Sequence, residues 1–143
     1  MVARGQATEA MLRREEERLG VRLGDALRRT LRWDNGFELE LRGALWVLHP
    51  VFDDSSRQAI ARTCDHLARV NQHLRESPLG ELVPEAHLAI ASSQDGDLLL
   101  SPVRDDALAE EVWLWGLRGG ALERVAGDVE ELLEEARRDG WAR

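Results

Sequence analysis

Between His87 and Val125 the apolar residues fall into four short segments, His87 to Ala91, Leu98 to Ser101, Val112 to Trp115 and Ala121 to Val125, separated by glycine or acidic turns. Segments of that length read as strands, and four in a row favour an antiparallel meander. The most explicit reversal is in IASSQDGDLLLSP, residues 90–102. Asp95-Gly96 between apolar runs is a hairpin signal, with Gly96 supplying a positive φ and Asp97 able to accept turn amide hydrogens. A calcium loop of EF-hand type needs alternating oxygen ligands and a distal glutamate, and Ser93-Gln94-Asp95-Gly96-Asp97 has neither. The stretch is expected to turn a strand, not to hold a metal.

Ahead of the meander the period is mostly helical. Thr8 caps a first helix that carries Met11, Leu12 and Leu19 and stops at Gly20; Asp25 caps a second, with Leu27 and Leu31, ending at Trp33-Asp34-Asn35-Gly36. Phe37 to Leu41 and Ala44 to Leu48 form a hairpin through Arg42-Gly43. One helix is expected from Asp54 to about Glu76, striped with Ile60, Cys64, Leu67 and Leu74, and Gly127-Asp128 opens a last helix with Val129, Leu132, Leu133 and Ala136 on one face. The pattern predicts a single α+β domain over 8–141, an antiparallel sheet of about four to six strands covered by about four helices, behind a flexible N-terminus at 1–7.

The chain has 143 residues, enough for one domain with a real core, and a formal charge of −8. All 19 basic residues are arginine. An acidic surface disfavours nucleic acid and anionic membranes as partners and favours a basic protein, although solubility alone accounts for many acidic chains. One cysteine makes no internal disulfide, and the N-terminal stretch has no apolar signal-peptide region, so a reduced cytoplasmic protein is expected.

Catalytic patterns find little support. Cys64 and His66 lie two apart on the expected helix and point to different faces, so Cys64 reads as a buried inert thiol. His66 and His73 lack two further zinc ligands, no G-x-S-x-G occurs, and a chain without lysine has no phosphate-cradling G-x-x-x-x-G-K-[ST]. No catalytic residue, metal or cofactor is expected. The acidic pairs Asp53-Asp54 and Asp105-Asp106 read as caps and solvated loops or as an electrostatic rim for a basic partner. Trp46, Trp113 and Trp115 read as packing between sheet and helices, with tryptophan also a preferred interface anchor. The candidate partner-binding set is therefore Asp53, Asp54, Asp105, Asp106 and Trp46.

Taken in order, several short motifs resemble the SUKH superfamily, which holds bacterial toxin-immunity proteins and fungal Smi and Knr type regulators of cell-wall synthesis. They are Glu16 with Leu19-Gly20-Val21-Arg22-Leu23, Leu27 to Asn35-Gly36, Leu45-Trp46-Val47-Leu48, Leu82-Val83-Pro84, Ile90-Ala91, Gly96-Asp97 and Val112-Trp113-Leu114-Trp115, with a last helix ending near Leu133. Gly24 stands where the family usually has proline, and the segment from Asp53 to Ser77 matches least. The resemblance implies a Smi/Knr-like α+β fold and, most often, binding without catalysis. Two roles follow from it: immunity against a cognate polymorphic or contact-dependent toxin, of nuclease or deaminase class, or a cytoplasmic adaptor and regulatory scaffold.

Overall fold

The alternating segments pair into one antiparallel sheet in the computed structural model, which describes residues 5–138. Strands β1 (Glu38–Leu41), β2 (Ala44–Leu48), β3 (His87–Ser93), β4 (Leu98–Arg104), β6 (Val112–Trp115) and β7 (Leu122–Ala126) lie in the order β1-β2-β3-β4-β6-β7. A two-residue strand not foreseen, β5 (Ala107–Leu108), pairs with the end of β4. Among the described residues five α-helices complete the α+β fold: α1 (Glu9–Leu19), α2 (Asp25–Trp33), α3 (Arg57–Arg62), α4 (Leu67–Glu76) and α5 (Val129–Arg138).

Local chemistry accounts for the reversals. Arg42 and Gly43 (φ 53° and 78°) turn β1 into β2, and Asp105 and Asp106 (φ 52° and 60°) turn β4 into β5; each is a two-residue loop with both residues left-handed. Aspartate tolerates that region better than most side chains, because its short polar side chain bonds locally. At the β3–β4 turn Gly96 has φ 90°, as its sequence context demands. The hydroxyl of Ser93 accepts the amides of Asp95 (3.2 Å) and Asp97 (3.1 Å). Asp97 uses its carboxylate farther away, accepting the Leu117 amide at 2.9 Å and so tying this turn to the loop after β6.

Four expectations are corrected. The helix from Asp54 to Glu76 is two helices, because Thr63 ends α3: its hydroxyl bonds back to the Ala59 carbonyl (2.7 Å) and accepts the Asp53 amide (2.9 Å). The expected stripe is thereby broken, so Ile60 and Cys64 are exposed and Cys64 is not a buried thiol. Asp25 is not the cap of α2; Gly24 is, and the Ala26 amide is satisfied instead by Glu110 (3.2 Å) from the loop between β5 and β6. A side chain at position 24 would run into that carboxylate, which is a physical reason for glycine there. Residues 5–7 are not loose: Ala7 is buried and donates to the Leu31 carbonyl (3.0 Å), and Gly5 accepts from the Asn35 amide (3.0 Å). Residues 1–4 and 139–141, at the ends of the expected boundaries, lie outside the described residues.

Two buried asparagines each bond both the amide and the carbonyl of one distant residue. Asn71 of α4 donates to the Ala89 carbonyl (2.9 Å) and accepts the Ala89 amide (2.8 Å), close to where β2 leaves β3 at Pro50. Asn35 makes the same pair of bonds to Val51, at 3.0 and 2.9 Å. Asn71 thus takes the place of a strand neighbour beside β3 and Asn35 serves the loop after β2, and both satisfy backbone groups that burial would otherwise penalise by about 1–3 kcal/mol apiece.

The sheet is covered on both sides of its centre. Leu39, Leu41, Trp46, Leu48, Ile90, Leu99 and Val112 pack with Met11 and Leu12 of α1, Leu27 and Leu31 of α2, and Leu132 and Ala136 of α5. On the opposite face Ala89, Leu98, Leu100 and Trp115 are closed over by Leu74, Val83 and Leu117. Alternation along Leu98-Leu99-Leu100 therefore serves two cores, and each fully buried leucine contributes about 1.5–3 kcal/mol.

Candidate functional site

The helix α1, the segment after β2 and the start of α4 meet on one carboxylate. Glu15 has no solvent exposure and accepts the amides of Phe52 (3.2 Å) and Ala68 (2.7 Å), with His66 Nδ1 at 2.6 Å and Arg18 at 2.9 Å. Burial alone would raise its pKa, but the bonds from His66, Ala68 and Phe52 outweigh that and hold it below the ordinary glutamate value. Glu15 is in effect the N-terminal cap of α4, supplied from another helix. The side chain of His66 itself makes no cap bond.

His49 Nε2, just after β2, and the hydroxyl of Ser92 on β3 are 2.8 Å apart. A serine beside a histidine invites a nucleophile–base reading. Burial, however, pushes His49 down to about 4, against a smaller opposing pull from Asp65, so the imidazole is a weak base held neutral at pH 7. The pair serves as a satisfied polar contact on the sheet. Among the described residues no three histidine, cysteine or acidic side chains converge as a metal site, and no helix is long and apolar enough to cross a membrane.

The sequence-derived binding residues separate into three situations. Trp46 is 3% exposed within the main core and offers no ring to a partner; the anchoring role expected of it is corrected to packing. Asp53 is mostly buried, its carboxylate accepting the Ser55 amide (3.0 Å) and standing 3.5 Å from Arg62, so it holds the loop before α3 rather than a rim. The Ser55 contacts keep its carboxyl below the usual aspartate value. Asp54 is exposed, 3.9 Å from Arg14. Asp105 and Asp106 are both exposed at the tip of the β4–β5 turn, which rests beside the end of α1 through the Arg22 amide and the Asp106 carbonyl (2.9 Å). The two acidic pairs are thus carried by unconnected loops.

A better-formed concavity lies between α2 and α5. It is an open groove of about 590 Å³ lined by Arg29, Thr30, Trp33, Asp128, Glu130, Glu131, Leu133 and Glu134. Trp33 is 60% exposed. On α2 it stands one turn from Arg29 and off the Leu27 and Leu31 stripe, a spacing that could have singled it out from sequence. Arg29 donates to both oxygens of Glu130 (2.6 and 3.2 Å), which lowers the Glu130 pKa and raises that of Arg29. Asp128 caps α5 by accepting the Glu131 amide at 2.7 Å. Four acidic side chains against one basic one leave the groove negative.

No curated protein matches the chain at a significant level. A family model does, over residues 6–135, spanning every strand and reaching into α5. The chain belongs to the SMI1 / KNR4 family (SUKH-1).

Proposed function

We propose that this protein is an immunity protein, acting in the cytoplasm and without chemistry of its own, that binds the toxic domain of a cognate polymorphic or contact-dependent toxin of nuclease or deaminase class. The observation that carries the reading is family membership joined to a formal charge of −8. Toxins that act on nucleic acid present basic surfaces to their substrate, and an acidic protein competes for that surface and is steered onto it. Neutralisation then follows from occlusion: carboxylates such as Asp54, Asp105 and Asp106 take the places of phosphates while the toxin's active site or substrate path is covered.

Co-expression with the C-terminal domain of a large secretion-like protein encoded beside the gene tests this. Survival together with co-purification is the expected result. If that domain is harmless, or kills regardless of this protein, immunity is refuted and the adaptor role takes its place.

A further inference from the structure

We propose that the groove between α2 and α5 seats an arginine-bearing segment of the protein partner, with a guanidinium lying on the Trp33 ring and facing Glu131 and Glu134; this deepens the binding reading above and rests on it. Three features of the groove converge. Its lining offers an indole that is 60% exposed, together with Leu133, an arrangement that leaves a large apolar surface in water. Its charge is one-sided, and that charge divides by task. Glu130 is engaged by Arg29 and Asp128 by the Glu131 amide, while Glu131 and Glu134 stand exposed along the groove. Its volume, about 590 Å³, admits a few side chains rather than a whole helix.

An arginine fits this combination better than other groups. The guanidinium is flat and weakly hydrated, stacks on indole faces and meets carboxylates with paired N–H donors. Arg29 already makes that paired contact with Glu130 within the same groove, at 2.6 and 3.2 Å. Lysine would bring the charge without the planar stack, and nucleic acid would be repelled by the same carboxylates.

The test is a titration of the isotope-labelled full chain, followed by NMR, with a short synthetic peptide alternating arginine and glycine, and with the same peptide carrying uncharged citrulline. The arginine peptide is expected to shift the Trp33 indole N–H and the amides around Arg29 and Glu131, and the citrulline peptide to shift them far less. Trp33→Ala, and separately Glu131→Arg with Glu134→Arg, should each weaken peptide binding about tenfold or more; both sites are exposed, so circular dichroism should confirm intact folding. Equal binding by Trp33→Ala, equal binding of the citrulline peptide, or shifts centred elsewhere overturns the proposal. Self-association of the free protein that Trp33→Ala abolishes also overturns it, by giving the groove to a second copy. The two readings fail separately: Trp33→Ala rescuing growth at the wild-type level removes the groove and keeps immunity, whereas groove-specific binding without rescue does the reverse.

Discussion

Replacing Glu15 by alanine should be among the most damaging single changes in this domain. The carboxylate serves two backbone amides, of Phe52 and Ala68, and the largely buried His66 ring, besides the more exposed Arg18. Each buried donor left without an acceptor costs about 1–3 kcal/mol, and part of that returns because a buried charge no longer has to be desolvated. The net loss expected is about 3 kcal/mol, or about 10 °C in Tm for a chain of this size. Urea unfolding followed by tryptophan fluorescence reads it directly, since Trp46 and Trp115 are buried. Acid adds a second signature. The folded pKa of Glu15 lies below the unfolded one, so its contribution is complete above the unfolded value, near 4.5, and is lost as pH falls through the folded value. Glu15→Gln should therefore be less stable than wild type at pH 7 and lose less on acidification below about pH 4.5. A loss under about 1 kcal/mol for Glu15→Ala, with an unchanged denaturant slope, would show that the carboxylate does not join α1, the loop after β2 and α4.

Asn71→Ala uncovers the amide and carbonyl of Ala89 and should cost about 2–3 kcal/mol, seen as faster hydrogen exchange at Ala89 before global unfolding; an unchanged exchange rate would remove the strand-mimic role. His49, held at about 4, stays neutral in the folded chain while the unfolded chain takes up a proton below about 6.5, so stability falls as pH drops through that window. His49→Gln should flatten this part of the stability–pH curve, measured by urea midpoints between pH 7 and pH 4; a curve parallel to wild type contradicts a buried neutral imidazole. Asp105→Asn with Asp106→Asn keeps residues that tolerate positive φ and removes the charge, so Tm should hardly move while association with the toxin domain slows at low salt. Unchanged association kinetics would exclude that turn from the interface.

Local signals were sufficient where one residue's backbone preference decides the conformation. Gly96 and Arg42-Gly43 had to reverse strands, Thr8 had to start a helix, and the period-2 segments had to become a sheet, because turn geometry, capping and side-chain alternation act within a few residues. The ordered motifs likewise carried the family and its α+β class. Tertiary structure alone decided the rest, since each such feature joins residues far apart in the chain. Glu15 caps a helix that starts 52 residues later at Leu67, Glu110 accepts the Ala26 amide at the start of α2, and Thr63 breaks a stretch whose spacing read as one helix. Burial sorted the candidate site in the same way. The strand that carries Trp46 turns it into the core, and the packing of α2 beside α5 leaves Trp33 outside among carboxylates. Composition determined that the surface would be acidic; only the fold determined where that charge meets an exposed aromatic ring.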